Sequence, residues 1–171
     1  MFVIRQAHLQ HMKDLAVIQT NSWKDSFSQI LSPKTIKQYT DINTCMKLLE
    51  SIYKSQKGIF YIALSDNSPC GEAFWCTGAE IAESAEIISF HVAKDFWGTG
   101  LGKVFMQKII NDIRIQKKHS IYLWVFQENI RARKFYEKAG FYTDNCIRKS
   151  KLDNVPEIRY IYSITNTSLH N

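Results

Sequence analysis

At 171 residues the chain has the length of one average domain and is long enough to bury most of its apolar surface, which excludes a multidomain machine. Its 22 Lys and Arg against 16 Asp and Glu give a net charge of +6, while 45% apolar and 13% aromatic residues exclude disorder for most of the chain. No apolar run reaches the ~20 residues of a bilayer span, and Met1-Phe2-Val3-Ile4-Arg5 lacks the pattern of a signal peptide, so the expected setting is soluble and cytoplasmic.

Val3 and Ile4 predict a short first strand, after which Leu9, Met12, Leu15, Ala16 and Ile18 recur at helical spacing up to about Trp23. Ser32-Pro33, a capping residue before a first-turn proline, opens a second helix, and Met46, Leu49, Ile52 and Tyr53 mark a third. Ile59 to Leu64 and Ala73 to Cys76 flank the turn formers Asp66-Asn67-Ser68-Pro69, which predicts a β-hairpin. Glu86 to Val92 is a further strand, leading through Asp95-Phe96-Trp97 into a glycine-rich turn and an amphipathic helix with Leu101, Val104, Phe105, Ile109 and Ile113 on one stripe. Ile121 to Phe126 is apolar and strand-like. Asn129 caps a helix carrying Ala132, Phe135, Tyr136 and Ala139 and ending at Gly140. Phe141-Tyr142 and Ile158 to Ile164 supply the last strands, and 165–171 forms a polar, frayed tail. The order predicts one α/β domain over 1–171, with helices layered on a single mixed sheet.

Cys45, Cys70, Cys76 and Cys146 are scattered with no Cys-x-x-Cys pair, and His8 and His11 have no third ligand near them, so no metal is expected and the two histidines read as a polar helix entry. Basic residues are interleaved with acids rather than massed, which favours acidic small ligands such as phosphates over nucleic acid.

The strongest local signal is Trp97-Gly98-Thr99-Gly100-Leu101-Gly102-Lys103 between a strand and a helix start. There, unpaired backbone amides sit at the positive end of a helix dipole, and missing Cβ atoms let a diphosphate reach the backbone. The spacing is not the Gly-x-Gly-x-x-Gly of dinucleotide folds, and no Gly-Lys-Ser or Gly-Lys-Thr follows to serve a nucleotide-hydrolysing loop.

This turn resembles the Arg/Gln-x-x-Gly-x-Gly/Ala element of the GNAT superfamily of acetyl-CoA-dependent N-acetyltransferases, with Trp97 standing where Arg or Gln is usual. Leu123-Trp124-Val125, followed by Asn129, Ala132, Phe135-Tyr136-Glu137-Lys138 and Gly140-Phe141, resembles the family's second coenzyme-contacting element. The resemblance implies a mostly antiparallel sheet with helices on both faces and a splayed central strand pair. It also implies acetyl-CoA as cosubstrate, with Phe90, His91 and Val92 on the pantetheine arm. Amides from Gly98 through Thr99, Gly100, Leu101 and Gly102 to Lys103 would take the pyrophosphate, and Asn129 would contact the pantetheine. Lys103, Arg131 and Arg133 stand either toward the 3′-phosphate or on a solvated helix face.

Tyr136 resembles the family tyrosine that hydrogen-bonds the departing sulfur; its alternative is an aromatic core residue. Ala85-Glu86-Ile87 resembles the segment bearing the catalytic glutamate of the histone acetyltransferase branch, so Glu86 leads as base, with His91 and a water chain as alternatives. Strict strand alternation places Glu86 and His91 on opposite faces unless a bulge intervenes. Trp23 and Phe27, four apart, resemble the acceptor-side start of small-molecule family members, with Glu86 completing the expected substrate site; the alternative for the two rings is simple helix packing. The implied activity is acetyl transfer from acetyl-CoA to a small primary amine, polyamine-like or other, by direct attack. A protein or peptide acetyltransferase and a non-catalytic coenzyme A-binding module are the alternatives. No nucleic-acid or membrane partner is expected, and edge strands near the carboxyl terminus leave a homodimer open.

Overall fold

The computed structural model describes residues 1–164; the expected tail over 165–171 lies outside them. In chain order its elements are β1 (Phe2–Gln6), α1 (Met12–Phe27), α2 (Pro33–Tyr39), α3 (Ile42–Lys54), β2 (Gly58–Ser65), β3 (Ser68–Thr77) and β4 (Ser84–Val92). Then come α4 (Leu101–Ile115), β5 (Ser120–Phe126), α5 (Ile130–Lys138), β6 (Tyr142–Lys149) and β7 (Pro156–Ser163). The strands form one sheet in the order β1-β2-β3-β4-β5-β7-β6, antiparallel throughout except where β4 runs parallel to β5.

Local chemistry explains most boundaries. Ser32 Oγ accepts from the Thr35 amide at 3.2 Å ahead of Pro33, which starts α2. Asp66 and Asn67 take φ of 50° and 65°, the paired left-handed geometry of a tight hairpin turn between β2 and β3. The His8 amide donates to His11 Nδ1 at 2.9 Å, closing a 3-10 turn before α1, so these histidines form the polar helix entry. Helix α1 runs on past Trp23 to Phe27, because Trp23 and Phe27 continue the sheet-facing stripe and pack edge to face at 5.4 Å. Phe141 is buried just before β6, which runs to Lys149; its exposed polar residues hide it from a hydrophobicity pattern. Val104 is 47% exposed, on the flank of α4 rather than on its buried stripe.

Two cores sandwich the sheet. On one face Leu101, Phe105, Ile109 and Ile113 of α4 pack with Ala73, Trp75, Ile87 and Leu123. On the other, Met12, Leu15 and Ala16 of α1 and Leu49 of α3 pack with Phe60, Ile62 and Phe74. Helices therefore cover both faces, as a mixed sheet of this kind requires.

Two irregularities in β4 set up the site. Pairing with β5 covers only Ser84–Ile87 against Ser120–Leu123; beyond that, Ile88–Val92 and Trp124–Phe126 diverge. Between β3 and β4, Phe74 opposes Ser89 while Trp75 opposes Ile87, so Ile88 is an extra, bulged residue. The bulge resets alternation. Glu86 (opposite Cys76), Ser89 (opposite Phe74) and His91 (opposite Glu72) all face the α1 side, while Ile87 and Phe90 face α4. Strict alternation is thus corrected: Glu86 and His91 share a face. Five positions apart on an extended strand, they remain ~15 Å from each other.

Candidate active site

A cavity of about 890 Å³ occupies the divergence of β4 and β5, lined by Phe90, His91, Val92, Gly98, Gly100, Gly102, Lys103, Asn129 and Tyr136 together with Trp23 and Phe27. These candidates, from five stretches of chain, converge because the splayed strands open toward the start of α4 and the inner face of α5.

At one end lies the glycine turn. Gly98 and Gly100 take φ of 78° and 91°, which L side chains rarely adopt, while a Cβ at Gly102 would come within 3.1 Å of the Phe135 ring. Among the described residues, the amides of Gly98, Gly100, Gly102 and Lys103 have no protein acceptor. They point from the start of a 15-residue helix, a geometry suited to a dianionic diphosphate. Lys103, Lys134 and Lys138 line the same cavity and add positive charge. Thr99 Oγ1 instead donates to the Phe96 carbonyl at 2.8 Å, bracing the turn, and Leu101 is fully buried in the core. Asn129 Oδ1 caps α5 by accepting from the Ala132 amide at 3.2 Å.

Trp97, at the position where the resemblance leads one to expect Arg or Gln, donates from its indole N–H to the Val92 carbonyl at 2.9 Å. The Arg131 guanidinium lies 3.4 Å from the centroid of its ring and donates to Ser26 Oγ at 2.9 Å. Arg131 thereby ties the glycine turn, α5 and α1 together rather than standing free on a solvated face. Arg133 is likewise engaged, donating to Tyr160 Oη at 3.2 Å and to the Gln127 carbonyl at 3.0 Å.

At the centre, Tyr136 is buried, and its hydroxyl makes no hydrogen bond among the described residues. Burial pushes its pKa above that of a free phenol, so it holds its proton at neutral pH and can donate it.

Beside it, on the α1 side, lies a buried polar cluster. His91 Nδ1 is 3.0 Å from Ser22 Oγ, and His91 Nε2 is 3.7 Å from Glu72 Oε1. Glu72 is fully buried; Ser89 Oγ donates to its Oε2 at 3.1 Å, and its Oε1 has no hydrogen-bond partner. Desolvation drives the Glu72 carboxyl up to about 8 and, with Arg131 assisting, the His91 imidazole down to about 4. Between those values the two groups hold one proton between them, and they titrate as a pair. Glu72 is the residue that sequence reasoning missed. It falls at the end of the hairpin turn, just before the apolar Ala73-Phe74-Trp75, and its one signal is a carboxylate abutting an otherwise apolar strand.

Glu86 stands elsewhere. Its Oε2 accepts from Tyr122 Oη at 2.9 Å, and Tyr122 Oη in turn accepts from the amides of Ala79 and Glu80. This is the closed, paired end of β4, and Glu86 is not among the residues lining the cavity. Burial raises its pKa, opposed by the Tyr122 hydrogen bond.

Trp23 and Phe27 do reach the cavity. Trp23 stacks on Tyr39 with centroids 5.4 Å apart, and Phe27 packs edge-on against Phe126 at 5.1 Å and near the His91 ring at 6.3 Å.

The model of the acetyltransferase (GNAT) family matches residues 20–141, which include the splayed strands, the glycine turn and Tyr136. The chain belongs to the GNAT acetyltransferase family. A relative, an uncharacterized N-acetyltransferase of Methanocaldococcus jannaschii, is 30% identical over 94 residues, 53% of this chain and 42% of that protein's length. The whole fold recurs in solved structures. PaiA N-acetyltransferase from Thermoplasma acidophilum, solved with coenzyme A, superposes with a TM-score of 0.81 at 17% identity, over 96% of this chain and 99% of that one. A ribosomal-protein-alanine N-acetyltransferase from Brucella melitensis gives 0.73 at 15% identity, over 95% and 99%. A spermidine N-acetyltransferase chimera from Vibrio cholerae gives 0.72 at 17%, over 95% of each chain. At such identities the likeness is one of fold. Among the described residues no helix is long and apolar enough to cross a membrane.

Proposed function

We propose that the protein transfers the acetyl group of acetyl-CoA to a small primary amine by direct attack within a ternary complex. The observation that carries this reading is the convergence, on one cavity, of a free amide cradle, an opened strand edge, Tyr136 with its unpartnered hydroxyl, and His91, behind which Glu72 is buried. The coenzyme A held by the Thermoplasma relative supports the cosubstrate.

The donor supplies an acyl thioester; everything else comes from this chain. The Gly98–Lys103 amides and Lys103 hold the pyrophosphate, and the open edge of β4 from Phe90 to Val92 holds the pantetheine arm as an added strand would. Asn129, capping α5 at the same wall, keeps its side-chain N–H groups for that arm. His91, with Ser22 on its cavity side, takes the proton of the incoming ammonium and shares it with Glu72. As the new C–N bond forms and the C–S bond breaks, Tyr136 donates its proton to the departing sulfur, and the second proton shed by the acylated nitrogen restores the phenol. Glu86 has no part in this scheme, because its carboxylate is committed to Tyr122 outside the cavity. Trp23 and Phe27 border the acceptor.

Thermal unfolding tests the cosubstrate. Acetyl-CoA at a hundred times its dissociation constant adds ~2.7 kcal/mol, about 5 to 10 °C for a chain of this size, with little shift from NADH or ATP. Equal shifts with all three ligands, or none with acetyl-CoA, contradict the reading.

A further inference from the structure

We infer that the acceptor is an arylalkylamine, a monocationic amine carrying an aromatic ring on a short spacer, rather than a polyamine or a peptide amino terminus. The inference rests on the acetyl-transfer reading and concerns what fills the α1 side of the cavity.

Two observations carry it. The first is the wall. Trp23, Phe27 and Phe126 line the cavity in a chain of ring contacts at 5.4 and 5.1 Å, with Tyr39 stacked on Trp23 outside the cavity lining at 5.4 Å and the His91 imidazole 6.3 Å from Phe27. An amine within hydrogen-bond distance of His91 and a two-carbon spacer bring an acceptor ring alongside Phe27. There, offset or edge-on aromatic packing adds to simple burial. An ammonium on its way to His91 also passes ring faces that favour a cation.

The second is charge. A polyamine carries further ammonium groups that need free carboxylates, and the carboxylates around this wall are engaged. Glu157, which lines the cavity, accepts from Arg148 Nε at 2.9 Å. Asp25 pairs with Lys94 at 3.6 Å, and Asp153 accepts from the Ser32 amide and the Thr35 hydroxyl, both at 2.7 Å. Glu72 is buried against His91 and serves the one amine that reacts. A second ammonium would be desolvated against rings with no counter-charge, and a peptide would leave amide groups unpaired there.

The test is a competition among phenethylamine, spermidine and a short peptide with a free amino terminus, each offered with acetyl-CoA to the full chain. Phenethylamine is expected to show kcat/KM about tenfold or more above either rival, in line with what a matched apolar pocket discriminates. Phe27→Leu, which keeps apolar bulk but removes the ring, should erode that preference mainly through the KM for phenethylamine. A preference for spermidine or the peptide overturns the inference while leaving acetyl transfer standing, and so does an undiminished preference in Phe27→Leu. Acetylation of none of the three, in protein that still shows the acetyl-CoA thermal shift, overturns the transferase reading together with it.

Discussion

Tyr136→Phe is expected to lower kcat about a hundredfold for every accepted amine, the usual size of a lost general acid. Tyr136 lines the cavity where β4 and β5 diverge, and its hydroxyl is kept protonated by burial and makes no hydrogen bond among the described residues. Its removal therefore takes away no native interaction, and the folded protein should lose little stability. The Phe135, Phe141 and Tyr160 rings that pack around Tyr136 at 5.3 to 6.4 Å are untouched by the change. Acetyl-CoA should still raise the melting temperature as in the parent. Steady-state kinetics alongside thermal shifts check both halves; an unchanged kcat would remove Tyr136 from the chemistry.

Glu72→Gln is expected to change how both rate and stability depend on pH. In the parent, the buried pair gains its second free site as pH rises through about 8, the point at which Glu72 ionises. Log kcat should therefore climb with pH and level off near that value; in Glu72→Gln this limb should vanish, with kcat near pH 8 about a hundredfold lower. The stability consequence follows from proton counts. Unfolded, Glu72 titrates at its ordinary 4.5 and His91 at its ordinary 6.5; folded, they titrate at about 8 and about 4. Between 4.5 and 6.5 the pair binds one proton in either state, so it adds no slope. From 6.5 to about 8 the folded pair still holds a proton that the unfolded chain has lost. The raised Glu72 pKa thus stabilises at low pH, and that contribution is lost as pH rises through this window, on the order of 2 kcal/mol in total. Below about 4.5 the unfolded chain binds the extra proton, and the depressed His91 pKa costs stability as pH falls. Denaturant unfolding between pH 6.5 and 8 should show the alkaline decline in the parent and its loss in Glu72→Gln. The same decline in both would contradict the assignment.

What the sequence reveals and what it hides divide along physical lines. The Gly98–Gly102 turn, the Asn129 cap and the α4 stripe are local: backbone angle, capping and helical period are written in adjacent residues, and the structure realises them where expected apart from Val104, which lies on the flank of α4. Tyr136 was legible because it falls in a recognisable element immediately after that cap. The bulge at Ile88 was not, since register depends on β3, and no residue in Glu86–Val92 announces an extra position. That one shift moves Ser89 and His91 onto the face of Glu86 and brings His91 opposite Glu72. Glu72 itself reads as a turn residue until β3 is seen to start at Ser68 and bury it. Arg131 reads as a solvated helix position because its partners, Trp97 and Ser26, are 34 and 105 residues away in the chain. Glu86 drew attention through its local pattern. Its partner Tyr122, on the adjacent strand, places it at the closed end of the sheet.

The central claim is direct transfer from acetyl-CoA to an amine, and acceptor-dependent thiol release followed with the intact mass of the protein tests it most directly. Cys76 and Cys146 are half-buried thiols within the described residues, which makes them the alternative acetyl carriers to watch. The account predicts that free coenzyme A thiol appears only when an amine is present, in equal amount to acetylated amine, while the protein mass stays unchanged. Thiol release without an amine, together with a protein carrying an acetyl group, would contradict direct attack, and no release with any amine would contradict the activity itself.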